Sequence, residues 1–328
     1  MNPIKKTVLT AGFMTAVNCM AQVVQLNAGI KVVAEGIIQL VVDNSGIKND
    51  GVFIPDSSTV IFDGAGATSI AGSQQTLFYN VTFRGNGTKI NNGDAAVLNA
   101  LEIEGTTVVD ADGITNDKAF TLKSSDTATA YVGKLTNGDI TGNVTVERFI
   151  NTGTANGQHA KSWQFLATPT SGQSIFQSWQ ESGSTPAGYG TIITGTGSGF
   201  DITTALPSLK YYNDASDNWT AITNTSGLLQ QKLGYMLYVR GDRTITSSST
   251  APNNTNMRNK GNLFTAFNPP PSVPVQANMF QSAGNPYASR IEFDKVYQAS
   301  SGINNVYYVW DPKLNGNWNS GGYQTLSA

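Results

Sequence analysis

The chain of 328 residues contains one cysteine, Cys19, and one histidine, His159. That scarcity excludes a disulfide framework and any zinc site built on histidine or cysteine. A Ser-His-Asp relay could draw only on His159, which sits between Gly157 and Lys161 in a polar stretch and reads as a solvated loop histidine. Charge is sparse as well: Asp, Glu, Lys and Arg make up 13%, about half the usual share. With 20 basic against 22 acidic residues and no basic run, nothing attracts a nucleic acid electrostatically. Beyond the N-terminus no apolar run is long enough to span a bilayer.

Glycine (34), asparagine, serine and threonine fill the space that charge leaves, while 39% hydrophobic residues suffice for a core. This is the profile of a turn-rich extracellular β protein. The first residues read as a secretory signal: Lys5 and Lys6 form the charged region, Val8 to Val17 the apolar one, and Cys19-Met20-Ala21 a cleavage site after Ala21. A lipoprotein reading would acylate Cys19, but Asn18 stands where a small residue is wanted. Cleavage removes the only thiol and both lysines, leaving 18 basic against 22 acidic residues.

A repeat dominates the region after the signal. The triplets Leu40-Val41-Val42, Val60-Ile61-Phe62, Val81-Thr82-Phe83, Leu101-Glu102-Ile103, Phe120-Thr121-Leu122 and Val144-Thr145-Val146 start at steps of 20, 21, 20, 19 and 24 residues. A near-constant period of this size predicts stacked coils. Ile30-Lys31-Val32, Val52-Phe53-Ile54, Ile70, Ile90, Val108-Val109 and Tyr131-Val132 supply a second strand set. Asp63-Gly64, Asn86-Gly87, Asn92-Gly93 and Asp112-Gly113 supply the corners, since such pairs tolerate positive φ. The expected fold is all-β: a parallel β-helix over residues 23–147, with a β-sandwich as the competing closure, after a signal at 1–21.

Residues 148–328 differ in texture. All five tryptophans (163, 179, 219, 310 and 318) lie there, and the repeat stops. Strands are expected at Ser162 to Ala167, Ser208 to Tyr212, Tyr235 to Val239, Asn262 to Phe267 and Val306 to Trp310. Short helices are expected at Ser174 to Trp179 and Ile291 to Gln298. Residues 248–260 and 268–276 read as loops. The result is a mostly antiparallel, sandwich-like β domain whose large aromatics fill its core.

An ordered set of segments in this half carries a resemblance: VTVERFI (144–150), KSWQFLATP (161–169), SWQE (178–181), GYGT (188–191), KYYN (210–213), GYMLYVRGDR (234–243), GNPYAS (284–289) and YVWDPK (308–313). Together they resemble the large secreted, adhesin-like surface proteins of Bacteroidota. The resemblance implies an extracellular or cell-surface location, β-helical repeats upstream and export by the type IX secretion system. It also implies O-glycosylation at Asp126-Thr127-Ala128. Those proteins end in a sorting domain that does not follow Tyr323, which implies another export route or a longer natural chain.

The residues that chemistry could use are few. Asp110, Asp112 and Asp117 alternate as calcium ligands do, although the third ligand before the glycine and the distant glutamate are missing; calcium is thus the one cofactor to test. The pairs Glu102/Glu104 and Asp110/Asp112 have a sugar-cleaving enzyme's residue types, but outward carboxylates serve solubility equally well. Trp219 and Trp318 lie in polar settings suited to stacking on extracellular glycans. Arg240-Gly241-Asp242 reads as a hairpin corner. The expected function is non-catalytic: a surface structural or adhesin-like protein. A carbohydrate-binding module is the second reading and a β-helical lyase or hydrolase a distant third.

Overall fold

The computed structural model describes residues 23–155, 159–230, 232–265, 269, 272–314 and 321–327. Residues 1–22, with Cys19, and Trp318 lie outside the described residues. The chain divides into two compact units, residues 1–146 with 261–268, and residues 147–260 with 269–328.

The first unit is a parallel β-solenoid. Strands Val24–Leu26, Ile47–Asn49, Thr68–Ala71, Thr88–Asn91, Val108–Asp110 and Asp139–Thr141 form one six-stranded sheet, one strand per coil. A second parallel sheet runs through Gln39–Asp43, Thr59–Asp63, Thr76–Phe83, Ala95–Ile103 and Phe120–Leu122 to the first residues of Val144–Ile150. Lys31–Val33 and Val52–Ile54 pair as a short third face. Strands Ile47–Asn49 and Asp139–Thr141 carry too little apolar pattern to be picked out in the sequence, and Val24–Leu26 has the apolar-x-apolar pattern but stands outside the 20-residue series.

All six triplets lie in the second sheet, but not all in one register. Val60, Val81 and Leu101 align, as do Phe62, Phe83 and Ile103. Phe120 and Leu122 instead pair with Ala95 and Val97, six residues earlier on the long strand, and then with Val144 and Val146. The upper half of that strand is taken by Tyr131–Val132, with Leu101 opposite Val132. An excursion closed by a Ser124–Thr129 bridge separates the two pieces.

Inward positions form dry columns. Val60, Val81, Leu101, Phe62, Phe78, Val97, Leu122 and Val144 are fully buried, and each such side chain contributes about 1.5–3 kcal/mol of hydrophobic stabilisation. Phe62 stacks on Phe83 with ring centroids 5.1 Å apart and meets Phe78 edge-on at 5.9 Å. The corners need glycine: Gly85 has φ +84°, and a Cβ there would lie 2.3 Å from the Gly64 nitrogen. Side chains tie neighbouring coils, as when Asn99 Nδ2 donates to Asn80 Oδ1 at 2.7 Å.

The second unit centres on a four-stranded antiparallel sheet, in the order Ser162–Leu166, Tyr235–Val239, Leu209–Asn213, Asn218–Ala221. Leu166, Tyr235, Leu237, Val239 and Leu209 bury one face against Ile150, Ile175, Trp179, Ile193, Leu229 and Met257. Helix Ile175–Ser178 starts from a capping box of Ser174 and Gln177, and Phe293–Ala299 is the second helix. Tyr307–Asp311 and Gly322–Leu326 form a separate antiparallel hairpin.

Three expectations fail here. Residues 255–260 are not loop: strand Thr255–Leu263 runs through them with alternate residues buried. Thr255 Oγ1 donates to the Gly190 carbonyl and Asn259 Oδ1 accepts from the Trp179 indole, while Asn259 Nδ2 is buried without a hydrogen-bond partner. The strand expected at Asn262 to Phe267 is the tail of this one, which ends at Leu263. Nor do the tryptophans fill the core: Trp179 is fully buried, whereas Trp163, Trp219 and Trp310 remain partly exposed.

Candidate functional site

Asp110, Asp112 and Asp117 occupy one corner of the solenoid, yet their carboxylates have separate partners. Asp110 Oδ1 accepts from the Gly113 N–H at 3.0 Å and closes the turn. Asp112 is buried, and its Oδ2 accepts from both the backbone and the side-chain amide of Asn143, one coil on, at 2.9 and 2.7 Å. Asp117 is exposed and accepts from Thr115 and Lys118. Among the described residues, no group of three or more Asp, Glu, His or Cys side chains is placed to hold a metal ion. The calcium pattern in the sequence is therefore a corner in which Asp110 and Asp112 tie backbone N–H groups and Asp117 takes side-chain partners.

Glu102 stands on the outer face of the long sheet between buried Leu101 and Ile103. Its carboxylate presses so closely on Gly133 that a Cβ there would clash with it. Burial, reinforced by the like charge of Glu104, raises its pKa above the usual carboxylate value. A carboxyl with raised affinity for a proton suits general-acid chemistry, but its neighbour Glu104 lies past the strand end and is exposed.

Trp219 lies on the second unit's four-stranded sheet, on the face opposite the core. The register places Trp163 beside Tyr238, Phe165 beside Met236, and Tyr212 beside Trp219. Trp219 meets Phe165 and Tyr212 edge-to-face, with centroids 5.7 and 5.4 Å apart. Burial, and then the hydrogen bond donated to Asp217, push the Tyr212 phenol up to about 12. Trp219 is thus one wall of an aromatic box rather than a bare stacking platform. The signal for this face was available as a period of two: Lys161, Trp163 and Phe165; Lys210 and Tyr212; Tyr238 and Arg240.

The remaining motifs are structural. Asp242 of Arg240-Gly241-Asp242 is buried and accepts from the Gly188 N–H, the Asn253 amide and Thr244, so no receptor can reach it. Arg243 next to it is buried in a bidentate pair with Asp201. His159 is half-buried rather than solvated, and its Nδ1 lacks a hydrogen-bond partner. Burial and then Lys313 lower its pKa, against the opposing pull of Asp311.

No family model matches the chain, and no curated protein or solved structure is significantly similar to it. No helix among the described residues is long and apolar enough to cross a membrane.

Proposed function

We propose that this chain is a secreted, cell-surface, adhesin-like protein in which the solenoid is a non-catalytic spacer. The observation that carries the reading is the filled interior of the six coils. Most inward positions are spent on stacked Val, Leu, Ile and Phe side chains, the inward Lys89 ammonium is taken up by the Gly64 and Gly66 carbonyls, and Asp50 and Asp112 fasten one coil to the next. The sparse charge and the signal-like N-terminus support an extracellular setting, as does the exposed Asp126-Thr127 on the excursion after Leu122. Stacking a coil adds only about 4.8 Å, so a repeat of this kind is a means of setting reach.

A Bacteroidota host expressing the full chain tests this. The mature protein is expected to begin at Gln22 by intact mass and to be digested by protease added to whole cells. Uncleaved protein retained in the cytoplasm overturns the surface reading. Release of oligosaccharides from pectin or alginate by the purified chain overturns the non-catalytic one. The second reading, a carbohydrate-binding module, is favoured by one observation: the half-exposed aromatic face that contains Trp163, Phe165, Tyr212 and Trp219.

A further inference from the structure

Three cations share that aromatic face and lack any carboxylate partner. The antiparallel ladder sets Trp163 opposite Tyr238 and Ser162 opposite Val239; one residue further, Lys161 stands opposite Arg240. The Arg240 guanidinium sits 5.0 Å over the Tyr238 ring, and Lys210 Nζ sits 5.3 Å from the Trp163 ring centroid. Trp163 and Tyr238 are themselves packed edge-on at 5.4 Å. The rings therefore hold the two cations in place. Lys161 Nζ is anchored on the Ser248 carbonyl at 2.7 Å, and Arg240 spends one N–H on the Ile192 carbonyl at 3.3 Å. Among the described residues none of the three takes part in an ion pair, although six other basic side chains do. Burial first, and then the nearby Arg240 charge, depress the pKa of Lys161. Positive charge is thus concentrated here without compensation, in a chain whose net charge is −2.

We propose that Lys161, Arg240 and Lys210, carried by the Trp163–Tyr238 pair, form a binding strip for a uronate-bearing polysaccharide. Placement argues for a polymer over a small anion. The cations come from three separate segments, two of them held on the paired rings of Trp163 and Tyr238. A chain of acidic sugars, which repeats its charge along its length, meets more of the strip than one carboxylate does. The partly exposed rings of Trp163 and Tyr238 add apolar surface beside the cations for a pyranose to cover. Nucleic acid fits less well, because among the described residues no further basic row extends the strip and the chain as a whole is acidic. The choice of a polymer met outside the cell rests on the adhesin-like reading; the binding does not.

Affinity electrophoresis of the purified full chain in gels containing polygalacturonate, neutral dextran or single-stranded DNA tests the strip. Retardation by polygalacturonate alone is expected, with an affinity at least about 10-fold weaker in the double variant Lys210→Gln, Arg240→Gln. Lys260→Gln, outside the strip, should bind like the parent. Unchanged thermal melting of the double variant confirms that it folds; if it does not, Lys210→Gln alone must still weaken binding about 3-fold. Equal retardation by dextran, preference for DNA, no retardation, or an unaffected variant each overturn the proposal. Secretion of a chain that fails to bind would leave the surface reading standing, and binding by a chain that is never secreted would do the reverse.

Discussion

Phe120 lies beside Ala95, not beside Leu101. The fifth triplet therefore continues the lower half of the long strands, Thr76 to Phe78 and Ala95 to Val97, while the first four triplets stack along the upper half. The sheet keeps its buried interior through this change because the lower half supplies Phe78 and Val97 and the upper half Val81, Phe83 and Leu101.

Phe62 is the joint of the inner columns, in contact with Phe83 and Phe78 and with no exposed surface. Phe62→Ala is expected to cost about 3–5 kcal/mol, read as a lower urea midpoint with an unchanged slope.

At Gly85 the backbone conformation and the space both exclude a side chain. Gly85→Ala places a methyl 2.3 Å from the Gly64 nitrogen while holding φ at +84°. The loss is expected to exceed about 1 kcal/mol, with thermal unfolding as the measurement. Gly29 is the control, since its φ is also positive but nothing lies within 4 Å. Gly29→Ala should therefore cost less than Gly85→Ala.

Lys89 points into the solenoid, fully buried, and its ammonium donates to the Gly64 and Gly66 carbonyls at 2.7 and 3.1 Å. Burial lowers its pKa from 10.5, against the opposing pull of Asp63 and Asp43. Between the lowered folded value and 10.5 the unfolded chain binds the extra proton, so this residue's contribution to stability rises with pH across that window. Below the folded value the penalty for burying the charge is present in full. Lys89→Met is expected to abolish the rise. Urea unfolding of both proteins across that pH range isolates it, because the tyrosines titrate equally in each; parallel curves would count against a buried ammonium.

At the Asp110–Asp117 corner, calcium and EDTA are each expected to leave the melting temperature unchanged, because the carboxylates are committed to different partners. Asp112→Ala strands the Asn143 amides and should cost about 1–3 kcal/mol. A calcium-dependent rise in melting temperature that disappears in Asp112→Ala would instead make this corner a metal site.

How much could be read in advance follows from these positions. The 20-residue period gave the solenoid because coil length is set by strands and corners that hardly vary. The register of Phe120 was not legible, since a shift within one long strand changes the triplet spacing by only a residue or two. Strand Thr255–Leu263 was missed because Thr255 and Asn259 look like loop residues until Gly190 and Trp179 supply their partners. The calcium pattern misled for the converse reason: alternate aspartates satisfy a corner's backbone as readily as an ion. Lys161, Lys210 and Arg240 were visible as alternation with aromatics, but only the antiparallel ladder places three separate segments on one face.

Cysteine cross-linking tests the stacked register most directly, because the chain after Ala21 contains no other thiol. Ala96 and Thr121 are paired across adjacent coils, and neighbouring strands about 4.8 Å apart fall within disulfide geometry. The account predicts that Ala96→Cys with Thr121→Cys oxidises to an intramolecular disulfide, seen by intact mass. Glu102→Cys with Thr121→Cys, roughly 20 Å apart by strand rise, should remain reduced. A disulfide in the second pair and none in the first would contradict the register on which the solenoid rests.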